Sequence, residues 1–478
     1  MIFNSFQYLW LFPLVFIGYH LVNKIVGGGK FEHLGNYVLL GISYLLYMQW
    51  NLAFSAVLLW VTFVTYSAAL IIEREGLPLR KVSIWIAVLL ALAPLLLFKY
   101  CNFIVDSING LHWMPEMKGL NWAVPLGISF YSFQAVGYLL DVYKRRIKAE
   151  HNWWDYMLFV SFFPQILSGP ISKADELLPQ IKSKRPFDYE KSVEGLKLLL
   201  WGMFMKVVFA DRLGIYVDMI YDTYMNQTGL SCFVGSILYT LQIYGDFAGY
   251  SLMAIGSGKV LGFDLVENFR RPYFATSITD FWRRWHISLT RWLTTHVYIA
   301  LGGSRCTKIR QYFNIMVTFL VSGIWHGANW TFILWGVFHG VFQILEKVLG
   351  IDPKGRFSDK GWMKKVKLLR IFATFILVNF AWILFRMPTI GDAYAVCCKI
   401  LTDGTLKIFM PNNTITFFTL LSIFVVFTKE LFEEFFPHKV ELMNNRRASV
   451  RWCTYIALVS MILLMGVFDS SQFIYVSF

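Results

Sequence analysis

About twelve apolar stretches, most of them near the ~20 residues needed to cross a bilayer and a few shorter, run along this chain at roughly 6–23, 35–49, 52–72, 82–104, 122–143, 193–213, 229–256, 312–327, 331–349, 368–387, 413–430 and 452–470. Backbone in lipid must satisfy its own hydrogen bonds, so such stretches fold as helices. Only 15% of the 478 residues are charged, against about 25% in a soluble domain. Aromatic residues make up 18%, as suits rings that contact lipid and mark its interfaces. This argues against a water-soluble enzyme, a disordered chain, a coiled coil and a disulfide-stapled module. The sequence predicts an all-α polytopic membrane protein of about 11–12 transmembrane helices, with one membrane domain over 1–478. The opening MIFNSFQYLWLF lacks a basic leader and reads as a retained first span.

The net charge of +14 is explained by topology. With the N-terminus outside, the segments predicted inside are about 24–34, 73–81, 144–192, 257–311, 347–370 and 429–451. They hold 36 of the 44 lysines and arginines, and the outside segments hold Lys118, Lys399 and Lys407. That partition follows the positive-inside rule. No aromatic-plus-basic module points to nucleic acid; the expected surroundings are membrane lipid. None of the six cysteines sits in a metal-ligand spacing, so they read as packing residues and no metal is expected.

Two inside segments are not ordinary loops. Segment 155–178 is apolar but too short and too interrupted by Pro and Gly to span, so it reads as re-entrant or interfacial. Segment 278–296 has helical periodicity, with Ile278, Phe281, Trp282, Trp285, Leu289, Trp292 and Leu293 on one face. It predicts one helix at the interface or against the bundle.

Soluble catalytic motifs are absent. GSGK at 256–259 lacks the leading glycine and the Ser/Thr of a phosphate loop, and neither HExxH nor GxSxG occurs. What remains is polar residues set in apolar sequence, which are costly and mark function by default. His326 lies in VSGIWHGANWTF (321–332), with Trp325 and Trp330 placed to wall a pocket and Asn329 offering a donor and an acceptor. The alternative for His326 is a satisfied histidine at a helix end. His286 falls on the apolar face of the 278–296 segment, or is simply an interfacial histidine beside two arginines. His339 reads as a packing or hydrogen-bonding residue, and His296 as a partner of the helix C-terminus. His20, His33, His112, His151 and His438 read as span-end or loop residues. Asp246 needs a partner, an arginine or a hydroxyl being the plain solution, and Asp280 caps or orients the 278–296 helix. Lys259, Arg270, Arg271, Arg283, Arg284, Arg305 and Lys308 form a basic rim suited to a phosphorylated donor, or to anionic lipid. A neutral imidazole can take the proton of a hydroxyl attacking a carbonyl. The residues alone thus suggest acyl or glycosyl transfer from an inside donor, without choosing between them.

The stretch from YGDFAGYS through FWRRWHISL to GGSR (244–305), with SGIWHGANWTFILWGVFHG (322–340), resembles the membrane-bound O-acyltransferase superfamily. VPLGISFYSFQAVGYLLDVYK (124–144) and FFPQILSGPISKADELLPQI (162–181) match its bacterial polysaccharide O-acetyltransferase branch, of the alginate O-acetylation type. The motif core covers about 122–349. The resemblance implies transmembrane and re-entrant helices around a central tunnel. It implies His326 as the catalytic residue and His286 as the matching upstream polar residue. It also implies cytoplasmic acetyl-CoA as donor substrate, not a tightly bound cofactor. The acceptor would be a hydroxyl outside the cell membrane, on a polysaccharide or on an exported SGNH-type acetyltransferase. Two other readings fit the spans: a transporter or flippase for a lipid-linked sugar, which would carry inverted repeats, and a lipid or protein acyltransferase of the same superfamily.

Overall fold

The computed structural model describes residues 3, 5–26, 34–74, 80–111, 115–120, 122–351, 353, 365–436 and 442–468. His33, His112 and His438 lie outside them. A long helical stretch stands at each of the twelve predicted positions: Phe6–Val26, Leu34–Met48, Leu52–Glu73, Arg80–Asn109, Ile128–Tyr143, 189–221, Gly229–Val260, Lys308–His326, Trp330–Leu349, Lys367–Arg386, Asn413–Phe435 and Ala448–Met465. Among the described residues the regular structure is all helical. Among the described residues, seven helices are long and apolar enough to cross a membrane by length and composition. The Ile128–Tyr143 helix is shorter than predicted from 122–143, because Gly127 caps it with φ 71. A Cβ there would lie 2.2 Å from the Ile166 carbonyl oxygen, so the close approach also needs glycine.

The chain forms two compact units, Met1–Leu199 with Met253–Val266, and Leu200–Leu252 with Glu267–Phe478. In the first, segment 155–178 is broken, as expected: Trp153–Ser161 and Ala174–Lys182 are short helices joined by irregular chain. Buried side chains satisfy that irregular backbone, as apolar surroundings require. The Gln134 amide donates to the Phe159 carbonyl at 2.5 Å, and Ser43 Oγ accepts from the Phe163 N–H at 3.1 Å. Gln165 joins Gln134 to Ser172.

The second unit contains both sequence-predicted imidazoles. Its core is aromatic, with Trp285, Trp335 and Trp382 fully buried. The Lys308–His326 and Trp330–Leu349 helices form a tight hairpin. A Cβ on Gly323 would come within 2.4 Å of the Phe332 carbonyl oxygen, and one on Gly336 within 2.4 Å of that of Phe319. These two small residues let the backbones meet and bring His326, at the end of its helix, down beside the second helix.

The single helix predicted over 278–296 is not formed. The chain makes two seven-residue helices, Ile278–Arg284 and Ile287–Leu293, and then a widened turn at Thr294–Tyr298. Trp285 is extended and His286 is left-handed, with φ 44 and ψ 54. Competing backbone partners explain the break. The Arg270 N–H donates to the Arg284 carbonyl, and the Ile287 N–H to the Asn268 carbonyl, both at 2.9 Å. These bonds take both groups out of the helical ladder. The seven apolar residues therefore do not share one helix face.

Candidate active site

His326 ends the Lys308–His326 helix and is 2% exposed. Its ring is boxed by Trp325, Trp335 and Phe385, at centroid distances of 4.9, 5.0 and 5.2 Å. His286 is 0% exposed, at the junction of the two short helices. Its ring meets Phe247 edge-on at 4.6 Å and Trp325 at 5.6 Å. The two imidazoles, 40 residues apart in sequence, stand 6.5 Å apart by ring centroid. That is close enough for both to reach one small reacting group. The Trp325 ring meets both. Trp330 is 55% exposed.

The other candidates fall into separate roles. Asn329 caps the Trp330–Leu349 helix, accepting from the Thr331 N–H at 3.0 Å and donating to the Pro388 carbonyl at 2.8 Å. Asp280 joins in capping, as expected: the Ser277 hydroxyl accepts from the Asp280 N–H, and the Asp280 carboxylate accepts from the Thr276 N–H. His339 takes the hydrogen-bonding role, accepting at Nδ1 from the Trp282 indole at 3.2 Å. His296 is buried against Trp292. Asp246, for which an arginine or a hydroxyl was the expected partner, lies 2.6 Å from the Lys206 ammonium.

The basic rim is largely neutralised. Arg270 pairs with Glu267, Arg271 with Glu434 and Glu433, and Arg284 with Asp280 and Glu434. Arg283 makes no ion pair with a described residue and lines a cavity of about 260 Å³. Its walls include Trp282, Phe319, Ser322 and Lys347. The buried hydroxyls of Thr279 and Ser322, which also line it, have no hydrogen-bond partner among the described residues. Ser322 lies one helical turn before His326, on the same face, while neither imidazole is part of the lining. The cysteines differ from expectation: only Cys232 is fully buried, and Cys306 and Cys453 are exposed.

Burial keeps the His286 imidazole neutral. His286 lies between the membrane-spanning helices in sequence, and burial pushes its imidazole down to about 3. Trp335 stands against the His326 ring, and Trp382 and Trp285 pack in series beyond it; all three indoles are fully buried and their N–H groups find no acceptor among the described residues. Such donors in a dry site are suited to stabilising a developing oxyanion. The depressed imidazole has a consequence for stability. Between its folded value of about 3 and the ordinary 6.5, the unfolded chain carries the extra proton. This contribution is therefore complete above pH ~6.5 and is lost as pH falls toward 3. Thermal unfolding in detergent between pH 7.5 and 4.5 should show an acid-side decline that is shallower in His286→Gln. Equal slopes would remove His286 as its source.

The family model described as "MBOAT, membrane-bound O-acyltransferase family" matches residues 81–387. The chain is 36% identical to the probable alginate O-acetylase AlgI of Pseudomonas aeruginosa, over 86% of this chain and 77% of that protein. It is 33% identical to the peptidoglycan O-acetyltransferase of Helicobacter pylori, over 83% and 79%. It is 28% identical to the teichoic acid D-alanyltransferase of Streptococcus thermophilus, over 62% and 73%. With both predicted imidazoles inside the matched region, this multi-pass membrane protein belongs to the membrane-bound O-acyltransferase family.

Proposed function

We propose that this O-acyltransferase takes an acetyl group from acetyl-CoA on the cytoplasmic side and passes it across the bacterial inner membrane to a hydroxyl outside. The observation that carries the reading is the pair of buried imidazoles at 6.5 Å, beside indole donors and one turn from a cavity. The acceptor oxygen attacks the thioester carbonyl carbon while His326 takes the hydroxyl proton. The indole donors stabilise the tetrahedral oxyanion. The C–S bond then breaks, and the CoA sulfur leaves with the proton held by His326. His286 positions the thioester.

Arg283 and Lys347 at the cavity wall suit the phosphates of CoA, with the apolar lining and the Thr279 and Ser322 hydroxyls suiting its pantetheine arm. The Arg271 and Arg284 guanidiniums act mainly through their carboxylate partners. The relatives' names support a cell-envelope polymer as final acceptor, reached directly or through an exported acetyltransferase. The basic segments support the N-terminus outside.

The test supplies labelled acetyl-CoA to inside-out membrane vesicles of the source cell. Alkali-labile acetyl ester should appear on material at the opposite face, and only when the chain is present. Movement of a lipid-linked sugar with no thioester consumed would overturn the proposal. In the same assay Arg283→Ala should raise KM for acetyl-CoA about tenfold, as for loss of one charge-assisted hydrogen bond, with kcat little changed. An unaltered KM would take Arg283 out of donor binding.

A further inference from the structure

We infer that Asn268 is a positioning residue of the active site, holding His286 in the left-handed backbone conformation that presents its imidazole to His326. This rests on the reading of His286 as part of the acyl-transfer machinery.

The observation begins with a conflict. His286 has φ 44, a region unfavourable for a residue with a Cβ, and sits between two helices too short to impose it. Such a conformation persists only where the surroundings over-determine it. His286 gives no side-chain cap to the helix it starts, leaving the first N–H groups of Ile287–Leu293 to other partners. Asn268 takes two of them. Its backbone carbonyl accepts from the Ile287 N–H at 2.9 Å, and its Oδ1 accepts from the Ser288 N–H at 3.2 Å. Its Nδ2 donates to Ser251 Oγ at 3.0 Å.

That third bond gives the device its anchor. Ser251 belongs to the Gly229–Val260 helix, one turn beyond Phe247, whose ring meets the His286 imidazole edge-on. The same helix thus fixes the backbone of His286 through Asn268 and its ring through Phe247. Asn268 is 1% exposed and Ser251 is 1% exposed, so neither amide nor hydroxyl exchanges these bonds for water. An amide is the side chain that can accept from one peptide and donate to a hydroxyl at once. Aspartate would keep the first bond, make the second only by having the Ser251 hydroxyl turn to donate, and bring a charge.

The experiment is a double-mutant cycle in the vesicle assay with acetyl-CoA, on the full chain. Asn268→Ala keeps the backbone bond and removes both side-chain bonds. It should lower kcat by ~100-fold, the scale of a misplaced catalytic group, and leave KM for acetyl-CoA within about twofold. In the His286→Ala background the same change should cost nothing further, because a residue acting only through His286 has nothing left to position. Ser251→Ala, a smaller packing change, should show the same dependence on His286 with a loss on the order of tenfold, and it serves if Asn268→Ala fails to accumulate. Losses that multiply in the double variants would overturn the inference and leave the role of His286 standing. So would full activity of Asn268→Ala and Ser251→Ala beside an inactive His286→Ala. Full activity of His286→Ala would instead remove His286 from the proposed function, and this inference with it.

Discussion

Replacing His326 by alanine should cut acetyl transfer by at least ~100-fold while the protein still inserts and folds. General-base catalysis typically contributes 10²–10⁴-fold, about 3–5 kcal/mol of barrier. His326 is placed for that task, being the last residue of its helix and walled by three aromatic rings. A packing role predicts something different. A ring that merely fills the box between Trp325, Trp335 and Phe385 would be replaceable by glutamine, which is of similar size and keeps a donor and an acceptor. As a base glutamine is useless. His326→Gln should therefore lose as much activity as His326→Ala while unfolding at a temperature near that of the parent. The readouts are acetyl ester formed in vesicles and thermal unfolding in detergent. A glutamine variant within a few-fold of the parent would end the claim that this imidazole moves a proton.

How much of this was legible in the sequence depends on the range of the interaction. Helix positions follow from local hydropathy, and all twelve apolar stretches proved helical. His326 was legible because it interrupts such a stretch between Gly323 and Gly327. His286 was legible as a residue but not as a geometry. The periodicity of 278–296 argues for one helix, and nothing within that segment reveals that Asn268 and Arg270 compete for its backbone at 284 and 287. The arginines misled for a similar reason. Glu434, some 150 residues beyond Arg284, neutralises both Arg271 and Arg284, and no local pattern announces a partner so distant. Arg283, itself exposed, differs from Arg284 in lining the cavity and in making no ion pair with a described residue. Local patterns thus located the helices and the imidazoles, while the pairing of charges and the break at His286 required the tertiary fold.

Lys206 shows the same limit and carries the second large prediction. It lies within a predicted span, where a lysine reads as an interruption of the apolar run. In the structure it is 0% exposed and lies 2.6 Å from both Asp211 and Asp246, each 1% exposed. In a regular helix Lys206 and Asp211, five residues apart, would point about 140° apart around the axis. The stretch Phe204–Ala210 is instead a wide-turned π segment, which brings the two onto one side. Asp246 reaches the same ammonium from the Gly229–Val260 helix, so the lysine joins two helices. Removing one partner of a buried ion pair typically costs about 3–5 kcal/mol, a large part of the 5–15 kcal/mol that holds a typical protein folded. Lys206→Met, which strips both carboxylates of a charge partner at 2.6 Å, should therefore leave little folded protein in the membrane. The triple variant Lys206→Met, Asp211→Asn, Asp246→Asn tests why. A buried ionic group replaced as a whole by neutral side chains is often nearly neutral in stability, so the triple variant should recover most of the folded protein lost in the single one. The measurement is the yield of monodisperse protein in detergent and its unfolding temperature. If Lys206→Met accumulates and unfolds like the parent, the triad is not what joins these helices; if the triple variant is no better than the single one, it is the lysine's packing, and not its charge, that the fold requires.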